Sequence, residues 1–166
     1  LDLLNDTANW GAKKYILGEV DIFEVDNTTE FYAHANVNYL RLDSIPRYGD
    51  GWAPVLKALR DGAFFISTGE VLLPQFTVGG KASGEKLKLS ASGQAKLEAG
   101  LKWNFPMAFA EVVTGDGEKV YRQQIDLSGT GPFGKQTLSE TLDLSGNELS
   151  GHCLLYTSPS PRDVEE

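Results

Sequence analysis

The sequence predicts an α+β chain: a short α/β piece followed by an antiparallel β-sandwich. Three observations lead there. Trp52, Val55, Leu56 and Leu59 recur at helical spacing, the one strong helix pattern in 166 residues. Ala95, Leu97, Ala99, Leu101, Trp103 and Phe105 alternate with Lys96, Glu98, Lys102 and Asn104, the mark of a half-buried antiparallel strand. Several further short strand patterns follow at hairpin spacing, as in a sandwich.

In chain order, Leu3, Leu4 and Trp10 can share one side of a short helix that stops at Gly11. Tyr15–Val25 and Phe31–Leu42 are rich in β-branched and aromatic residues and are predicted strands, with Asn27-Thr28-Thr29 as the turn between them. In the central helix Pro54 suits the first position, where its missing N–H leaves nothing unpaired, so Ala53 is the expected cap. Arg60 and Gly62 are stop signals. Ala63–Ser67 reads as a buried strand, and Val71–Leu73 as another that Pro74 ends, because proline cannot donate to a ladder.

Beyond Phe76, Leu87, Leu89 and Ala91 alternate. Met107–Val113 and Lys119–Leu127 flank the turn Thr114-Gly115-Asp116-Gly117, and Leu138, Leu142 and Leu144 point inward from a last strand. The predicted division is 1–74 for the α/β piece, 75–150 for a sandwich without a closing strand after Leu144, and 151–166 as a tail outside the fold. Within that tail Cys153–Asp163, CLLYTSPSPRD, resembles the one-frame translation of a transposase adapter used in sequencing-library preparation. The lone cysteine therefore says nothing about redox compartment.

The net charge of −8 argues against a nucleic-acid partner, which needs a basic patch. No run of about 18 apolar residues is present, so no membrane span is expected. Gly129–Lys135, GTGPFGK, approaches a phosphate-binding loop, but Gln136 stands where a magnesium-binding Ser or Thr belongs and a strand pattern follows it, so a plain loop is expected. Asp21, Glu24, Asp26 and Glu30 form either an oxygen-rich cation site or a solvated acidic rim. Trp10, Trp52 and Trp103 could form a carbohydrate platform, yet the periodicity assigns Trp52 and Trp103 to the core.

LGEVDIF, WAPVLKALRDGAFFISTGE and FTVGG, taken in that order, resemble the PHP (polymerase and histidinol phosphatase) metallohydrolase superfamily, the CehA/McbA-like branch in particular. Members of that branch close a catalytic α/β barrel with a Gly-x-x-Asp-x-His strand, continue through a helix and strand, and add a β-sandwich. The resemblance runs over roughly residues 15 to 145 and makes the chain the C-terminal part of such an enzyme: the terminal elements of the barrel, then the accessory sandwich. It implies a metal-dependent hydrolase of ester or phosphoester bonds acting on a small-molecule substrate, with zinc, manganese or iron in the parent protein and a periplasmic or extracellular location favoured for it. Most metal ligands of the family come from earlier strands, so this chain is expected to be inactive alone and can lack metal. By position Asp21 matches the ligand aspartate, Phe23 stands where the family has His, and His34 is the candidate to substitute. The other reading is a non-catalytic β-sandwich module for carbohydrate or cell-surface contact.

Overall fold

A computed structural model describes residues 2–12, 14–19, 36–144 and 152–159 of the chain, with Leu155 the only described side chain of the last segment. Two α-helices, one 3-10 turn (Tyr48–Asp50) and nine strands form among these residues. The strands form three antiparallel sheets: β1–β2, then β4–β3–β5–β8, then β7–β6–β9. This is the mainly antiparallel α+β architecture the sequence predicts.

Helix α1 (Asp2–Asn9) ends as expected at Gly11: the Gly11 N–H bonds to Ala8 O at 3.1 Å and the Ala12 N–H to Thr7 O at 2.9 Å. This double closure caps the orphan carbonyls of the last turn. Its buried side, however, is not the apolar one. Asn5 and Asn9 are buried, whereas Leu3 is 74% exposed and Trp10 is also exposed. The reason lies in what the helix touches. α1 packs against β6 and β7, and Asn9 Oδ1 accepts the Gly117 N–H at 2.7 Å, so a backbone turn with polar needs selects the amide side.

Strand β1 (Val37–Leu40) pairs with β2 (Phe64–Ser67) from Val37 opposite Ser67 to Leu40 opposite Phe64. Between them, α2 (Ala53–Asp61) begins one residue earlier than predicted, with Trp52 as its cap. Pro54 still lies in the first turn, where its lost donor costs nothing. Gly62 closes α2 with φ 71°, a backbone that only glycine adopts at low cost. The buried side of α2 is centred on Ala58, while Trp52 is 76% exposed and Leu56 is exposed too. The core position that periodicity assigns to Trp52 is therefore corrected: the helix is half-covered, and the ring lies on its open side.

Residues 15–19 run beside this ribbon without a ladder, so the strand predicted over Tyr15–Val25 does not begin there. One side chain replaces the ladder. The Gly18 N–H donates to Asn38 Oδ1 at 2.9 Å, and Asn38 Nδ2 donates to Gly18 O at 2.8 Å. Tyr15 meets Phe64 edge-on at 6.1 Å and reaches Asp61 O at 3.3 Å.

Strand β3 (Val71–Val78) continues past Pro74. Its register on β5 passes from Leu72–Lys102 to Gln75–Gly100, so Leu73 and Pro74 together face Leu101. This is a β-bulge, and a bulge absorbs proline because the extra residue has no ladder partner to lose. One expectation is thereby corrected: Pro74 does not end the strand, and β3 spans residues 74 and 75, where the sequence division was drawn. By sheet membership the sandwich already includes Val71.

Gly79-Gly80 turns β3 into the short β4 (Lys81–Ala82). Residues 86–90 form no ladder, though Leu87 and Leu89 pack onto the core. β5 (Gln94–Trp103) lies between β3 and β8 (Gly134–Asp143), paired with the latter along its whole length. β6 (Met107–Gly115) is flanked by β7 (Val120–Asp126) and β9 (His152–Pro159). Leu97, Ala99 and Leu101 of β5 and Leu138 and Leu142 of β8 share one core cluster with Met107, Ala110 and Val112 of β6. Two sheets facing each other across apolar side chains bury them from both sides.

The segment 151–166 was expected outside the fold, and no strand was expected after Leu144. For 152–159 both expectations are corrected. β9 pairs with β6 from Met107–Pro159 to Gly115–His152. Without it β6 would be an edge with unsatisfied N–H and C=O groups, and main-chain hydrogen bonds accept any extended segment whatever its side chains.

Candidate functional site

Asp21 and His34, the residues singled out for metal binding, lie outside the described residues, as do Phe23, Glu24, Asp26 and Glu30. Among the described residues no three His, Cys, Asp or Glu side chains converge.

The loop Gly129–Lys135 behaves as a plain connection. Thr130 turns back, its hydroxyl accepting the Met107 N–H at 2.8 Å and its own N–H reaching Leu127 O at 2.9 Å. Gly131 O accepts from Trp103 Nε1 at 2.9 Å. β8 begins at Gly134, so a strand stands where a phosphate loop needs a helix.

Among the described residues the most perturbed acid lies at the tip of the β6–β7 hairpin. Asp116 Oδ1 accepts the Glu118 and Lys119 N–H groups at 2.8 and 2.7 Å, and Oδ2 accepts the Tyr121 hydroxyl at 2.6 Å. Chiefly the Tyr121 bond, then the two backbone bonds, lower its pKa to about 2. Tyr121 is shifted up in return, because its proton is held by the carboxylate. The arrangement is an Asx-type turn that fixes the hairpin, and it leaves the carboxylate no role as a base near neutral pH.

A cleft of about 600 Å³ opens between the β1–β2 ribbon and the bulged part of β3. On the ribbon, Tyr39 and Phe65 are directly paired across the strands and stack at 4.8 Å with planes 4° apart. Arg41, two residues beyond Tyr39, falls on the same face. Its N–H extends the ladder to Ala63 O at 2.8 Å, and its guanidinium donates to Ser83 O at 3.1 Å, bridging ribbon and sandwich. Leu72, Leu73 and Pro74 of β3, Leu101 of β5 and Leu155 of β9 complete the lining. The sequence reading missed this cleft. Two signals pointed to it: Tyr39 and Arg41 alternate together, and a proline interrupts an otherwise apolar strand.

A second exposed feature spans the loop before α2 and the helix's first turns. Ile45 is 91% exposed, and Tyr48, Trp52 and Leu56 are exposed with it. Among the described residues no helix is long and apolar enough to cross a membrane. Comparison of the chain with protein-family models, curated proteins and solved structures gives no match.

Proposed function

We propose that the chain is the C-terminal part of a PHP-like, metal-dependent hydrolase of ester or phosphoester bonds, carrying the accessory sandwich and inactive by itself. The observation that supports this reading is the one-sided burial of α2. The helix bearing WAPVLKALRDG rests on Ala58 and turns Trp52 and Leu56 outward, with Ile45 and Tyr48 beside them in sequence. A helix taken from the rim of a larger barrel leaves such an apolar side behind. In this reading the antiparallel β1–β2 ribbon is the joint between barrel and sandwich, since barrel strands themselves run parallel. Asp21 and His34 are the residues of this chain proposed to reach the metal site of the parent enzyme.

The upstream reading frame tests the proposal. A His-x-His element after a strand pattern supports it; further sandwich units refute it. In addition, the purified 166-residue chain should hydrolyse p-nitrophenyl phosphate and p-nitrophenyl acetate no faster than buffer with zinc or manganese. Metal-dependent turnover by the chain alone would contradict the inactive-fragment reading.

One observation favours the second reading, a non-catalytic module for carbohydrate or cell-surface contact: Tyr48 and Trp52 present exposed rings, the apolar faces that sugars stack on. Quenching or enhancement of tryptophan fluorescence by soluble oligosaccharides, lost in Trp52→Ala, is the result expected of it.

A further inference from the structure

We propose that the cleft between the β1–β2 ribbon and β3 is a binding site for a small amphiphilic carboxylate, with its apolar body between the ribbon and the bulge and its head on Arg41. Volume, wall chemistry and charge point the same way. About 600 Å³ lies within the range of small-molecule sites, which are apolar with a few placed polar groups. The lining includes the stacked Tyr39–Phe65 pair, Leu72, Leu73 and Pro74, and at Leu101 it reaches the sandwich core. The bulge at Leu73–Pro74 accounts for the opening, because the extra residue bends β3 away from a regular path.

Arg41 sets the ligand's charge. A guanidinium carries five N–H donors, and the hydrogen bond to Ser83 O engages one nitrogen. Among the described residues no carboxylate lies within ion-pair distance of Arg41, although acids outnumber bases in the chain by 23 to 15. Glu85, close in sequence to Ser83, is turned onto the Ala82 N–H at 2.7 Å. The planar fork matches a carboxylate, and one cation balances one anionic charge.

The test uses the whole 166-residue chain and titration calorimetry with octanoate and octanol, equal in apolar length and different in charge. Octanoate should bind about tenfold more tightly than octanol, the order expected of one charge-assisted pairing. Arg41→Gln, an exposed substitution, should erase that preference, bringing octanoate affinity down to that of octanol. Ala82→Phe, which fills the cleft, should abolish both. Equal affinities for the two probes, no binding of either, or an unchanged preference in Arg41→Gln overturns the proposal.

Discussion

Replacing Leu97 with alanine is the sharpest probe of the sandwich core. Leu97 is fully buried on β5, paired with Val78 on one side and Glu140 on the other. Truncation removes three carbons, worth about 2.4 kcal/mol at ~0.8 kcal/mol each. A cavity term adds to this, because a strand held by ladders on both sides collapses little into the space, so the expected loss is about 3–4 kcal/mol. For a chain of this length that corresponds to a fall in melting temperature of about 6–16 °C. Urea unfolding followed by tryptophan fluorescence reads it well. Trp103 packs on the core and bonds to Gly131 O, whereas Trp10 and Trp52 are exposed in the folded state, so the signal change belongs mainly to Trp103. The midpoint should fall with an unchanged slope. Leu3→Ala, at an exposed position, should stay within about 0.5 kcal/mol of the parent. A Leu97→Ala loss below about 1 kcal/mol would refute the assignment of β5 as the central core strand.

Other expectations follow from the same geometry. The folded pKa of Asp116, about 2, lies below its unfolded value of 3.8, so its contribution is complete above about pH 4 and is lost as pH falls toward 2. Tyr121 is shifted upward, so its contribution is present below pH 10 and is lost as pH rises past its folded pKa. Tyr121→Phe should flatten both limbs of a plot of unfolding midpoint against pH, and unchanged limbs would exclude the pair as their cause. Gly84→Ala should destabilise by more than about 1 kcal/mol, since φ is +82° and the new methyl would lie 2.2 Å from Asp61 O, an immovable backbone atom; a neutral effect on the thermal midpoint would count against the docking of the 83–84 turn on α2. Truncation after Ser150 should bare the β6 edge and raise self-association in sedimentation or light scattering; a monomer at all concentrations would show that β9 does not cover that edge.

How far the sequence could be read depended on whether a pattern reported a local or a distant cause. The alternation from Ala95 to Leu101 held because both faces of β5 are set by the pleat itself. It failed at Phe105, 40% exposed, because the strand ends at Trp103 and the chain then turns. Gly11 and Gly62 ended their helices as expected, since a left-handed cap is a local event. The sidedness of α1 and α2 was misjudged because periodicity names the apolar side, while the neighbour decides which side is covered. The turn at Gly117 needed an amide, and Asn9 supplied it. Pro74 was read as a stop because a bulge requires the partner strand to be known. The cleft has its signals in Tyr39, Arg41 and Pro74, but its assembly was hidden for the same reason: Arg41 and Ser83 stand 42 residues apart and meet only through folding. Of the metal-site residues, Asp21 follows both from its acidic neighbours and from the resemblance, His34 from the resemblance, and both lie outside the described residues.

The supernumerary residue at Leu73–Pro74 also changes what an alignment gap would mean there. Elsewhere along β3 or β5, losing one amino acid swaps inside for outside along everything downstream. Here a single deletion would restore one-to-one matching with Leu101 and keep the phase of Val71 and of Phe76 alike. Shortening the chain by one residue at this point should therefore leave the sandwich intact and straighten its first long strand, making this the place in that strand where one residue can be lost without exchanging inside for outside.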